Sequence, residues 1–198
     1  MGKDTREKIL KNALEMFANK GYEGTNIREL SDALGVSKGA MYRHYDSKEH
    51  LWDSVLSNIE TEYEKNMGVN NNLPEIPEST DELIEITLRM INYTMHDPNV
   101  IMCRKMLNRE QYRDEKVAIL SDRHFLTDIE SKFIVIFKGM IEKKIFREDD
   151  YKMMALEYTA TISALINQRD RFPHKEEEIV SKALNYIKHF IKTYENNK

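Results

Sequence analysis

Apolar side chains recur every three or four positions through most of this chain, and the pattern is interrupted at a few places marked by glycine or proline. That spacing predicts an all-α fold of about nine helices. In the first, Ile9, Leu10, Ala13, Leu14 and Phe17 share one face, Asp4 can cap the start with Glu7 three residues on, and Gly21 follows Lys20 at the end. The second opens at Thr25 or Asn26, with Glu29 placed to complete a capping box. It carries Ile27, Leu30, Ala33 and Leu34 as far as Gly35. The third starts at Ser37, whose hydroxyl can cap the amide of Gly39 or Ala40. It must end by Tyr45, because Asp46 or Ser47 caps a fourth helix that runs to about Met67. Two short helices joined by a glycine turn describe a helix-turn-helix.

After the fourth helix the pattern stops in "GVNNNLPEIPE", where Gly68, three asparagines, Pro74 and Pro77 deny any helix and mark a domain boundary or a long surface loop. Beyond it the periodicity predicts helices at about 80–95, 98–110, 113–144 with a break near 120–122, 148–169 and 174–194. Asp97–Pro98 supplies a cap followed by proline at the first helical position. No internal repeat or low-complexity tract interrupts the series.

Charge distinguishes the first segment from the rest. The 198-residue chain has a formal net charge of −4, which excludes a generically polycationic nucleic-acid coat. Residues 1–50 nevertheless hold nine Lys and Arg against eight Asp and Glu, while the remainder is acidic, so the first segment is the one that can approach phosphate. Cys103 stands alone and the first residues lack the apolar run of a secretory signal, which together predict a reducing, cytoplasmic setting. The longest apolar runs, such as "FIVIF" from Phe133, fall far short of the ~20 residues that span a bilayer, so no membrane partner is expected.

The stretch "LGVSKGAMYRHYDSKEHL", Leu34 to Leu51, carries the candidate chemistry. If its helix lies in a major groove, Val36, Met41 and Tyr45 face inward, while Ser37, Lys38, Gly39, Tyr42 and His44 point away. Gly39 and Ala40 are small enough to let the helix start approach a duplex closely, Tyr42 and His44 can donate to phosphate oxygens, and Lys38 is long enough to reach guanine O6 and N7. Lys48 in the first turn of a helix is unfavourable for the helix dipole alone, which suggests an anionic partner nearby. Together with Gly21–Tyr22 and "GTNIREL", the stretch resembles the DNA-binding segment of the TetR family of transcriptional regulators over roughly residues 5–56. The run "GVSKGxxYxHYxSKExL" is almost unbroken. The resemblance implies that Tyr42, His44 and Lys48 contact phosphates and that Thr25 adds a further phosphate contact at the start of helix two. The arm before helix one, just "MGK", departs from many members, so extra minor-groove contacts from it are not expected, although Lys3 can still touch a phosphate.

The resemblance also implies a domain plan: a helix-turn-helix DNA-binding domain over 1–48, helix four (about 47–67) as the link, and a ligand-binding and dimerisation domain over 49–198. Only periodicity speaks to that second part. Its methionines and tyrosines suit an adaptable apolar pocket, for which Tyr93, Met102, Met106, Phe125, Met154 and Tyr158 are the expected lining, with Arg104, Asn108 or Gln111 as polar fixtures. Dimerisation is expected through two apolar faces near the C-terminus: Ile179, Ala183, Ile187, Phe190, Ile191 and Tyr194, and Met154, Tyr158, Ile162 and Leu165. His96, Asp97 and Cys103 lack metal-ligand spacing, the histidines are scattered, and neither a phosphate-cradling glycine loop nor a nucleophile elbow occurs. No metal, cofactor or catalytic residue is therefore expected.

The function expected is that of a homodimeric repressor that leaves a palindromic double-stranded operator when a small hydrophobic or amphipathic effector binds. Activation, or regulation without a ligand, is the alternative. A helical enzyme or protein-interaction module that keeps only the fold is a more distant one.

Overall fold

A computed structural model describes residues 3–67 and 74–196, and the side chains of residues 5–65, 74–196. The helices are α1 (Lys3–Gly24), α2 (Ile27–Ala33), α3 (Lys38–Tyr42), α4 (Lys48–Met67), α5 (Thr80–His96), α6 (Pro98–Glu110), α7 (Glu115–Asp122), α8 (Asp128–Glu142), α9 (Tyr151–Arg171) and α10 (Glu176–Tyr194). A π-helical turn, Arg123–Thr127, joins α7 to α8 without interruption where the pattern predicted a break. Counted as one, that run brings the helices among the described residues to the nine expected. The Asp4 side chain and most of the "GVNNNLPEIPE" segment lie outside the described residues.

Helix starts follow their caps. Asn26 Oδ1 accepts from the Arg28 N–H at 2.8 Å, so Asn26 caps α2. Glu29 does not close a capping box; it pairs with Lys20 instead. Asp97 Oδ1 accepts from the amides of Asn99 and Val100 at the start of α6. Asp150 accepts from Lys152 and Met153, which delays α9 by three residues relative to the expected Glu148.

The chain divides into two compact units, one made of Met1–Asn71 with Met102–Ser121, the other of Asn72–Ile101 with Asp122–Lys198. Helix α4, expected as a link, and residues 102–121 group with the first three helices. The first unit is built around Ile9, Ala13, Phe17, Leu30, Met41, Leu51, Trp52 and Val55, with Phe17 packed edge-on against Trp52 at 4.8 Å between ring centres. The second buries Leu83, Ile91, Phe133, Phe137, Tyr158, Ile187 and Phe190 in one aromatic-rich core, where Thr87 and Tyr158 share a hydrogen bond of 2.8 Å.

That core corrects the expected dimer faces. Ile179, Ala183, Ile187, Phe190, Met154, Tyr158 and Ile162 are all buried within the single chain, and Leu165 and Tyr194 pack against the same cluster. The helical spacing marks the side of each helix turned to its own chain. No helix among the described residues is long and apolar enough to cross a membrane.

Candidate nucleic-acid interface

The interface is assembled on the turn between α2 and α3. The last turn of α2 closes with Leu34 N–H on the Leu30 carbonyl, Gly35 N–H on that of Asp32 and Val36 N–H on that of Ser31, all within 3.1 Å. Gly35 takes φ +64°, the left-handed conformation that ends a helix. A Cβ there would meet nothing, so backbone conformation alone calls for glycine. Ser37 then caps α3, its Oγ accepting from the Ala40 amide at 3.1 Å.

These constraints sort the side chains of α3. Met41 and Tyr45 are buried. Ser37, Lys38, Gly39, Tyr42 and Arg43 are exposed, and His44 is half-buried beside Thr5, Ile9, Val36, Ala40 and Arg43 along a shallow cleft. Lys38 Nζ lies 5.6 Å from the centre of the Tyr42 ring, so the two form one exposed cationic and aromatic pair. At the start of α4, Ser47 Oγ accepts from the His50 amide at 3.0 Å. Lys48 Nζ sits 4.3 Å from the centre of the Tyr22 ring and 3.4 Å from the Glu23 carbonyl oxygen. Burial raises the Tyr45 phenol above its ordinary value, and burial with the nearby Glu49 charge does the same for Tyr22.

Six of the seven expected DNA contacts, Ser37, Lys38, Gly39, Tyr42, His44 and Lys48, therefore have surface on the α3 segment or the start of α4 that follows it. Thr25 does not join them. It is 3% exposed, its hydroxyl donates to the Gly21 carbonyl at 2.8 Å and its N–H to the Tyr22 carbonyl at 3.2 Å, so both its donors are spent inside the turn from α1 to α2. Its place is structural, shaping the approach to α2. The Lys3 side chain lies outside the described residues. Arg43, outside the expected set, is exposed between Tyr42 and His44 and adds a guanidinium to this surface.

The expected ligand residues are divided between the two units. Met102 and Met106 belong to the first unit, as do Arg104, Asn108 and Gln111, whereas Tyr93, Phe125, Met154 and Tyr158 belong to the second. Within the second, Met154 and Tyr158 are core residues and Tyr93 is 40% exposed on α5. Periodicity identifies an apolar residue but not which neighbour it meets. Among the described residues no group of three or more His, Cys, Asp or Glu could hold a metal ion.

Comparison with known proteins gives this geometry its context. Residues 9–55 match the family described as bacterial regulatory proteins, tetR family. Over 183 residues the chain is 25% identical to IcaR, the negative transcriptional regulator of the biofilm operon icaADBC in Staphylococcus epidermidis, a match covering 75% of this chain and 96% of that one. Among solved structures, a TetR family transcriptional regulator from Pseudomonas syringae pv. tomato shares the fold with a TM-score of 0.66 at 18% identity, covering 98% of this chain and 99% of the other. A complex of SmeT with triclosan does so with a TM-score of 0.69 at 16% identity, covering 98% and 93%; SmeT is the repressor of the Stenotrophomonas maltophilia multidrug efflux pump SmeDEF.

Proposed function

From this chain's membership of the TetR family of DNA-binding transcriptional regulators, we infer that it is a homodimeric cytoplasmic repressor that holds a palindromic operator until a small hydrophobic or amphipathic molecule releases it. One observation carries the DNA-binding half of that reading: a single short helix buries Met41 while Ser37, Lys38, Gly39 and Tyr42 stay exposed, followed along the chain by the exposed Arg43 and, at the start of α4, by Lys48. A helix built that way satisfies the fold on one side and leaves the other to a partner. Lys38, near its start, reads base edges; Tyr42, His44 and Lys48 hold phosphates and fix register. Ser37 and Gly39 let the helix start come close to the duplex.

The repressor reading is supported by the kinship with IcaR, a negative regulator. The effector reading is supported by the fold shared with SmeT, captured with triclosan, a small molecule. An effector acts by binding more tightly to the conformation in which the two recognition helices are wrongly spaced for successive major grooves. Its contacts are proposed within the second unit, on Tyr93, Phe125, Met154 and Tyr158, or within the first, on Met102 and Met106.

Selection of bound duplexes from a randomised library, followed by titration at several salt concentrations, tests this. A palindromic sequence should be enriched, with affinity falling linearly in log–log plots against salt. Absence of any enriched sequence together with salt-independent binding would sink the reading.

A further inference from the structure

Residues 109–116, the corner between α6 and α7, lie far along the chain from the helix-turn-helix yet are part of the same unit. Glu110, buried at 6% exposure, accepts the backbone N–H of Tyr22 on Oε1 at 3.2 Å and the Arg113 Nε–H on Oε2 at 2.7 Å. Arg109 donates to the Asn19 carbonyl at 3.1 Å, and the Trp52 indole N–H donates to Asp114 at 3.0 Å. Gly21 records how closely the corner is set: at φ +75° it already favours glycine, and a Cβ there would come within 2.8 Å of Glu110 Oε1 and 2.9 Å of Arg109 Nε.

The corner reaches the interface through one ring. The Arg113 guanidinium lies 4.4 Å from the centre of the Tyr22 ring, and Lys48 Nζ lies 4.3 Å from the same centre. We propose that Arg113 is a positioning residue for Lys48, acting through Tyr22: Phe17 and Trp52 pack on the Tyr22 ring, at 6.1 and 5.2 Å between centres, Glu110 orients the guanidinium, the guanidinium and the Glu110-bound backbone complete the ring's setting, and the ring is the platform on which the lysine rests. The contacts that hold Lys48 Nζ are weak in themselves, a carbonyl at 3.4 Å and the face of a ring. A long, flexible lysine on so loose a tether is only as well placed as its platform. The α6–α7 corner thereby sets how well the DNA-binding segment grips a phosphate, with no contact to DNA of its own. The inference rests on the reading of Lys48 as a phosphate contact.

The test is a double-mutant cycle on the full chain with Lys48→Met, Arg113→Met and the pair, read as affinity for a mixed-sequence duplex at several salt concentrations. Arg113→Met should weaken binding about two- to fivefold, the ratio expected for loss of one cation–π contact, and should weaken it no further once Lys48 is gone. Arg113→Lys keeps the charge without the flat guanidinium and should fall between parent and Arg113→Met. A second readout needs no DNA. With lysines carrying ¹³C-methyl groups, the Lys48 signal, assigned by its absence in Lys48→Met, should be displaced by the Tyr22 ring current and should move toward the exposed-lysine position in both Arg113 variants. Losses that add in the double variant, or a Lys48 signal that stays put, overturn the positioning role alone. Parent-like binding by Lys48→Met overturns the phosphate contact itself, and the positioning role with it.

Discussion

Gly39 shows how a single residue separates the needs of the fold from those of the partner. Its φ is not positive, and a Cβ built on it would meet nothing within 4 Å, so nothing inside the chain asks for glycine there. Glycine within a helix costs roughly 0.5–1 kcal/mol relative to alanine. We therefore expect Gly39→Ala to raise the free energy of unfolding by up to about 1 kcal/mol in denaturant titrations while lowering DNA affinity, because the methyl group occupies the surface of closest approach. Unchanged affinity would remove Gly39 from the interface. The neighbouring lysines divide differently. Lys38→Ala should cost about 1–3 kcal/mol on the selected operator and much less on mixed sequence. Lys48→Ala should weaken both and flatten the salt slope by about one unit. Equal losses for Lys38→Ala on both DNAs would refute its reading role.

At the scale of elements, the ends of helices were the most legible part of the sequence, because caps are local. Ser37 and Asp97 follow from side chains that must reach an amide two or three residues on, whereas the sequence left Thr25 and Asn26 as alternatives and the structure puts Asn26 at the cap. The rest was hidden for a stated reason: the Tyr22–Glu110 bond joins positions 88 apart, and neither residue's neighbours in sequence announce it. The outward side of α3 was likewise readable from period and residue size, whereas the burial of Thr25 depended on a turn whose hydrogen bonds run backward to Gly21 and Tyr22. The π turn between α7 and α8 brings a consequence of its own. His124 is buried there, and desolvation, with the nearby Arg123 charge, lowers its pKa to about 4. A histidine lowered in the folded state stabilises the fold fully above its unfolded value near 6.5, and that stability is lost as pH falls toward 4. The loss should reach about 3 kcal/mol near pH 4, and His124→Phe, which cannot titrate, should flatten it in urea titrations between pH 6.5 and 4. His96 runs the other way: its hydrogen bond to Glu176 raises its pKa, so its contribution is present below about 6.5 and fades as pH rises through the folded value. With the His96 side chain half exposed, that term is screened and small.

For the chain as a whole, the question is which surface the proposed dimer would use, since the expected faces lie in or against the intrachain core. Helix α9 leaves a second stripe unburied: Met153 is 57% exposed and Leu156 43%, with Ala160 half-buried and Ala164 exposed further along. These positions recur at three- and four-residue spacing on the side away from the core, and small residues at 160 and 164 would let a symmetry-related helix approach closely. On α10, Leu184 is the partly exposed apolar residue between polar Ser181 and Lys188. We propose that a two-fold interface is centred on this outer stripe of α9. Because Leu156 is not part of the intrachain core, Leu156→Asp should leave the unfolding curve nearly unchanged while placing two buried carboxylates face to face in the dimer. Sedimentation should then give the parent chain as a dimer and the variant as a 23.4 kDa monomer at micromolar concentration. DNA binding supplies the second half of the test, since two recognition helices must reach half-sites about 34 Å apart. The monomeric variant should lose affinity for the palindrome steeply yet bind a single half-site as the parent does. A Leu156→Asp chain that still sediments as a dimer would move the interface off this stripe.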